Sequence, residues 1–589
     1  MSDQVWPAQI AVETMQAHGV RAMFGLTGGH IQALQDFAYR GGIDVHQVRH
    51  EQAGAHAADG FARTTRTPGV CFGTAGPGMT NMVTGIYMAH LAQSPMVCLL
   101  GGHKLRESGR GSLQEADAEK VLGSVTKWTA RCTTPEQTGF YLTKAFRDAM
   151  TPPYGPVAIE FPLDTFNFEP GSRAAQVGHS AAVAPALVRP RVAPESARMD
   201  EIADLLAAAE RPLLVAGDKV HWDRSGPLLA ALAERAALPV SLRRMARGAI
   251  DESHPLVVPA AVRKPLIRDA DLVILLGLDV GYFESFGTWR TGARFVQVSS
   301  DPGEFALHLP TSVEVQADTT SALEGLLERL GDGPPAARPD WTGRLTAARA
   351  AWRAGLDEEA GQRSAERPIH PRTLAGELSG GLLRDVPVVL DSFTGSSFLS
   401  EHLALNAGAQ MLDSGYSAAV GHGVGMGIGA AVGTGGPVFV MMGDGGIGIG
   451  GGDIETSARY GLPVVYMVYN DGGFCAGLEN YCYGKDFSLL GPKARGGFNF
   501  TPDIRYDRMY ETVGAHVEHV TEPDQIRGAV ERSFESGRTA VIDVQASRDV
   551  AHPLYDSAYA KEMFWHLPRE EMQEPARAQH VDHHYPKFH

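Results

Sequence analysis

Short apolar runs recur along the chain, separated by longer stretches of helical periodicity. Those near the start are Gly69–Gly73 (GVCFG), Pro95–Gly101 and Pro156–Phe161. A middle group holds Arg211–Gly217, Ala270–Gly277 and Arg294–Val298. A late group holds Val386–Leu390, Pro437–Met442, Pro463–Tyr469 and Ala540–Val544. Runs that are apolar at nearly every position, rather than at alternate ones, suit strands buried on both faces, hence parallel sheets covered by helices. The pattern predicts three doubly wound α/β domains over residues 1–175, 198–345 and 368–548. An Ala/Val/Pro/Arg-rich linker is expected over 176–197 and a charged helical one over 346–367. Residues 549–589 carry no strand pattern and are rich in aromatic residues, histidine and charge.

Composition narrows the functional classes. The 589 residues are 44% hydrophobic and 20% charged, an ordinary globular balance. The formal net charge of −16 argues against a nucleic-acid-binding surface. Five cysteines (Cys71, Cys98, Cys132, Cys475 and Cys482) form no C-x-x-C pair, which fits a reduced, cytoplasmic protein without a disulfide framework. The opening MSDQVWPAQIAVETMQAHGV has no basic region followed by an apolar core, so no signal peptide is expected. Apolar runs are interrupted well before the ~18 residues of a membrane span, so no membrane association is expected.

The chemistry concentrates at two strand ends. Gly443-Asp444-Gly445 follows one buried strand, and Asn470-Asp471-Gly472-Gly473 ends the next, with residues 446–469 between. Both therefore lie at carboxyl ends of parallel strands, where open α/β sheets bind ligands. Glycines allow close approach to a diphosphate, and a carboxylate can hold the cation that neutralises it. Either motif alone reads most simply as a turn with a solvated acid; the pair at this spacing does not.

The paired motifs resemble the signature of thiamine diphosphate-dependent enzymes. The resemblance implies a Mg2+ held by Asp444, Asp471 and the Gly473 carbonyl. Asp471 stands where the family has asparagine, and Asn470 is the alternative ligand. Arg49–Arg63 (RHEQAGAHAADGFAR) is similar to the helix whose glutamate activates the cofactor, which implies that Glu51 shares a proton with the pyrimidine ring. Small residues at Ala53, Ala57 and Ala58 mean tight packing of that helix. Gly73–Asn81 and Phe24–His30 resemble the family's glycine-rich active-site turns and mark Gly76, Asn81 and Gly28 as cofactor-binding. In Asp413–Gly427 the resemblance implies an apolar support under the cofactor, Val424 or Met426. Gly443, Asp444, Gly445, Gly446 and Asp471 complete the implied cofactor set. The first domain would then bind the pyrimidine and the third the diphosphate, with a related middle domain. The two halves of a site would come from different subunits, making a homodimer the minimal unit and a homotetramer the expected one.

Finer features resemble the branch holding 2-hydroxyacyl-CoA lyases of actinobacterial type and oxalyl-CoA decarboxylases. Leu113-Gln114 stand where the decarboxylases place Tyr-Glu, leaving an apolar wall in place of a polar grip on a carboxylate. Glu479 lies on the chain leaving the metal motif and is a candidate general acid or base, or else a solvated loop acid. Tyr559, Lys561, Phe564 and Trp565 could cover an adenine- and phosphate-bearing ligand, or dock on a neighbouring subunit. Arg243, Arg244, Arg247, Arg263 and Lys264 form a basic cluster that could meet the phosphates of coenzyme A, or a solvated face. The resemblance implies cleavage of a 2-hydroxyacyl-CoA, such as 2-hydroxyisobutyryl-CoA, to acetone and formyl-CoA, with Leu113, Gln114, Glu51 and Glu479 around the reaction. It also makes ADP in the middle domain a candidate, although Asp279 replaces the nucleotide-binding arginine. The alternatives are oxalyl-CoA decarboxylation and acetolactate-synthase-like 2-oxoacid chemistry. A non-enzymatic cofactor-binding protein is disfavoured, since it has no need of both Glu51 and the metal motif.

Overall fold

The computed structural model describes residues 4–168, 171–172, 191–289, 291–331, 337–478, 483, 493 and 497–553. Glu479, most of the 176–197 linker and the aromatic cluster of the C-terminal segment lie outside the described residues. Three parallel sheets organise the rest. The first contains β1 (Ala22–Gly25), β2 (Asp44–Gln47), β3 (Gly69–Gly73), β4 (Met96–Gly102), β5 (Thr129–Arg131) and β6 (Pro156–Pro162), in the order β2-β1-β3-β4-β6-β5. The middle sheet runs β8-β7-β9-β10-β11, from β7 (Pro212–Ala216), β8 (Val240–Leu242), β9 (Leu272–Leu276), β10 (Arg294–Ser299) and β11 (Val313–Gln316). The third has β12 (Val388–Leu390), β13 (Met411–Asp413), β14 (Val438–Gly443), β15 (Val464–Asn470), β16 (His516–Val520) and β17 (Ala540–Gln545), in the order β13-β12-β14-β15-β17-β16. The first and third sheets thus share one connectivity, and each reverses strand order between its first and third strands. That reversal is where doubly wound sheets open a ligand crevice.

The central strands are buried at every position, which is why they read as continuous apolar runs. The helices that matter most here are α1 (Glu51–Thr65), α2 (Pro339–Gln362), α3 (Thr394–His402), α4 (His422–Thr434), α5 (Asp444–Gly450) and α6 (Ile454–Arg459). Helix α1 starts at His50, whose side chain accepts from the Gln52 N–H, and ends at Arg66 in the left-handed region (φ 58°). Its small face packs on α4 of the same chain. A Cβ on Gly429 would fall 1.8 Å from the Ala57 carbonyl oxygen, and one on Gly60 2.3 Å from that of Met426. Nothing larger than glycine fits this crossing.

Three parts of the chain meet at Arg63. Its fully buried guanidinium pairs with Asp59 (2.8 and 2.7 Å) and donates to the Asp413 carbonyl on β13 (2.7 Å). The Arg63 carbonyl in turn bonds His221 Nε2 of the middle part (2.7 Å). No helix among the described residues is long and apolar enough to cross a membrane. Breaking a buried pair by removing one partner strands a charge in low dielectric. Asp59→Ala is therefore expected to destabilise the protein by about 3–5 kcal/mol, read as a lowered denaturation midpoint. Glu201→Ala in the exposed Arg198–Glu201 pair should leave the midpoint nearly unchanged.

Candidate active site

On the first sheet, the candidate residues gather at the carboxyl ends of β1 to β4. Glu51 is the first residue of α1, 6% exposed, and its Oε2 accepts from Asn81 Nδ2 at 2.9 Å. Gly28 lies against Thr74, where a Cβ would come within 2.4 Å. Gly76 has φ +57°, and a Cβ there would lie 3.0 Å from Gln114. Gly28, Gly76 and Gln114 are thus linked through one turn, beside the Glu51–Asn81 pair. The Gly109–Asp117 loop is folded around Glu115, whose carboxylate accepts from the N–H groups of Gly109, Gly111 and Ser112. That fold leaves Leu113 at the tip, 76% exposed.

On the third sheet, Gly443 of β14 pairs in register with Tyr469 of β15, so the two acidic motifs leave the sheet side by side. The Asp444 Oδ2 accepts from the Gly472 N–H at 2.6 Å, and the Gly473 N–H reaches Asp471 Oδ1 at 3.3 Å. The Asp444 Oδ1 is buried with no hydrogen-bond partner. Burial, and then the charge of Asp471, push the Asp444 carboxyl up to about 8. Burial pushes Asp471 up to about 7, with Arg548, 3.7 Å away, working in the opposite direction. An unsatisfied carboxylate oxygen beside a second buried acid is the donor set a hard divalent cation accepts. The residues fit the group. Asn470, the alternative ligand, has its amide nitrogen committed to Asp543 Oδ1 and the Ile504 carbonyl, both at 2.9 Å.

Val424 and Met426 are both fully buried on α4, but they face different neighbours. Val424 packs beneath Gly450 of the metal-motif helix, whereas the Met426 backbone meets Gly60 of α1. A Cβ on Gly445 would strike the Phe474 ring at 2.6 Å, so this glycine lets the ring close over the motif.

Two residues that pattern reading passed over organise this region. Asp391, 1% exposed, accepts from the N–H groups of Gly421 (2.9 Å) and Gly423 (2.8 Å) and so holds the start of α4. Arg548 donates to the Phe474 carbonyl at 2.9 Å as well as facing Asp471. The position of Asp391, directly after a buried strand, was the available clue.

The basic cluster proves to be internally neutralised. Arg243 and Arg263 pair with Glu284, Arg247 with Glu252, and Arg244 with Asp218 and Asp413, whereas Lys264 is exposed. Beside it lies a cavity of about 580 Å³ between the middle sheet, α2 and the third sheet's α3. Arg349, Arg353 and Arg384 line it with Trp352 and Phe283. Of the arginines that line it, Arg244 Nε, Arg353 Nη1 and Arg384 Nε are buried without a hydrogen-bond partner. In the middle domain, the crevice between β7 and β9 beside Asp279 holds only about 30 Å³. Lys219 is paired there with Glu304 at 2.5 Å. Ligand pockets typically run to about 300–1,000 Å³, so as folded this crevice has no room for ADP.

The chain matches three family models in succession. These are the thiamine pyrophosphate enzyme N-terminal TPP binding domain over residues 6–121, the central domain over 199–326 and the C-terminal TPP binding domain over 394–544. The chain belongs to the thiamine pyrophosphate enzyme family. Among its relatives, a probable acetolactate synthase of Mycobacterium bovis is 30% identical over 94% of this chain and 99% of its own length. An oxalyl-CoA decarboxylase of Escherichia coli K12 is 26% identical over 92% of this chain and 96% of its own. A 2-hydroxyacyl-CoA lyase 2 of Caenorhabditis elegans is 28% identical over 79% and 78%.

For this thiamine pyrophosphate enzyme the raised acids set a pH dependence. In the unfolded chain both carboxyls titrate near 4, so the folded, metal-free protein binds more protons than the unfolded chain between about pH 4 and 8. Its stability contribution from the pair therefore falls as pH rises through that window. Mg2+ bound between the two acids would displace those protons. Titration calorimetry with thiamine diphosphate present should show proton release on Mg2+ binding and tighter binding at pH 8 than at pH 6. Binding independent of pH, with no proton released, contradicts the assignment.

Proposed function

We propose that this protein is a thiamine diphosphate- and Mg2+-dependent carbon–carbon lyase that cleaves a 2-hydroxyacyl-CoA to a ketone or aldehyde and formyl-CoA. What supports the coenzyme A part is the arginine-lined cavity: Arg349, Arg353 and Arg384 beside two aromatic rings suit an adenosine phosphate. The exposed, apolar Leu113 supports an alkyl-bearing substrate rather than a dicarboxylate. The branch with oxalyl-CoA decarboxylase and 2-hydroxyacyl-CoA lyase relatives is consistent with an acyl-CoA.

Bound thiamine diphosphate would supply a nucleophilic carbon and an electron sink. Asp444, Asp471 and the Gly473 carbonyl would hold Mg2+ against the diphosphate, with Gly443, Gly445 and Gly446 clearing space for it. Val424 would bear the ring system from below. Glu51, oriented by Asn81, would hold the proton shared with the pyrimidine nitrogen. Gly28, Gly76 and Gln114 would line the opposite wall. Glu479 would take the proton from the substrate 2-hydroxyl and return one to the product carbon.

Acetolactate-type condensation of 2-oxoacids is the second reading, favoured by the 30% identity to acetolactate synthase relatives. A panel of 2-hydroxyisobutyryl-CoA, oxalyl-CoA and pyruvate, each with Mg2+ and thiamine diphosphate, separates these readings. Acetone and formyl-CoA should be released from the first. Turnover of pyruvate alone would overturn the lyase reading. Removing a charge-assisted contact costs about 1.5–3 kcal/mol, so Arg353→Ala with Arg384→Ala should raise KM for acyl-CoA tenfold or more at unchanged kcat. Unchanged KM would take the phosphates out of this cavity.

A further inference from the structure

Glu51 owes its place to the C-terminal part of the chain. Strand β2, which leads to it, is an edge strand, and its main-chain groups would otherwise face solvent. They are taken up by side chains from the segment after the metal motif. The Gln47 N–H donates to the Tyr460 hydroxyl at 2.9 Å, and that hydroxyl donates to the Val45 carbonyl at 3.2 Å. Arg459 Nη2 donates to the Gln47 carbonyl at 2.6 Å. Closest to Glu51, the Arg49 N–H donates to Asp453 Oδ1 at 2.7 Å.

We infer that Asp453 is the positioning residue for Glu51, fixing the turn that precedes it through the Arg49 N–H and hence the angle at which its carboxylate meets the cofactor. Asp453 is 2% exposed and accepts a further bond from the Thr456 hydroxyl at 2.8 Å. Burial raises its proton affinity, and the Arg49 N–H and the Thr456 hydroxyl lower it. Its buried oxygens are thus engaged with the turn before Glu51. Asp453 closes the short turn Gly451–Asp453, which follows directly on α5 and Asp444. One stretch of chain therefore carries both the metal acid Asp444 and the anchor of Glu51. A 1 Å displacement of a positioned group can cost about 10²-fold in rate, which gives the anchor its leverage.

This inference rests on the reading of Glu51 as the cofactor's proton partner. The test compares Asp453→Asn with Glu51→Gln in the full-length protein. Asparagine keeps the size but turns a donor toward an N–H group. Three quantities are read: exchange of the C2 proton of bound thiamine diphosphate at saturation, the cofactor Kd by calorimetry, and deuterium uptake of the peptide covering residues 45–55 without cofactor. Asp453→Asn should slow C2 exchange at least tenfold, keep Kd within threefold, and raise deuterium uptake in that peptide. If exchange at saturation is wild-type and only Kd rises, Asp453 is structural and the inference fails. Should Asp453→Asn not fold, Tyr460→Phe loosens the same segment and should slow exchange at least threefold; a wild-type rate there overturns the inference. Wild-type exchange in Glu51→Gln would instead remove the underlying reading, whereas slowed exchange there beside a normal Asp453→Asn would sink only the positioning role.

Discussion

The close approach of α1 to α4 is the contact on which the rest of the structure depends. Gly425, Gly429 and Gly433 recur at four-residue spacing along α4 and face Ala53, Ala57 and Thr64 of α1. A methyl group at any of them would sit within 2.6 Å of an α1 atom. The crossing brings two backbones together, and with them two sheets of identical connectivity. Each sheet delivers its own chemistry to its strand ends: Glu51 from the first, Asp444 and Asp471 from the third. Interiors are packed at crystal-like density, so a wider crossing would shift the two sheets against each other rather than deform smoothly.

A second constraint is electrostatic. The protein buries acids where it needs them and neutralises charge elsewhere. Asp59 is matched by Arg63, Glu304 by Lys219, and Glu284 by Arg243 and Arg263. At Asp444 and Asp471 the only facing cation among the described ion pairs is Arg548, at 3.7 Å from one acid. The same arithmetic separates the two candidate ligand regions of the middle part. The crevice between β7 and β9 is closed by its own ion pair, whereas the arginines that line the cavity beside α2 include single N–H groups without acceptors.

Much of this was legible in the chain itself, because it depends on local pattern. The parallel sheets follow from uninterrupted apolar runs, and the acidic pair from two glycine-flanked motifs at consecutive strand ends. Asp444, Asp471, Glu51 and Asn81 fall where the motifs place them. What pattern reading passed over depends on contacts remote in sequence. Asp453 reads as an ordinary helix start, and only the fold puts it against Arg49, 404 positions away. The arginine cluster reads as a basic patch, since its partners Glu284, Asp413 and Asp218 lie on other elements. Val424 and Met426 are equivalent by spacing and are told apart only by the neighbours that α4 presents to α5 and α1.

The most direct test of the account is a crystal structure with Mg2+ and thiamine diphosphate bound. The account predicts the cation at about 2.0–2.1 Å from an oxygen of Asp444, an oxygen of Asp471 and the Gly473 carbonyl, with the Glu51 carboxyl hydrogen-bonded to the pyrimidine ring. A cation held through Asn470 instead of Asp471, or a pyrimidine ring with Glu51 out of hydrogen-bonding reach, would contradict it.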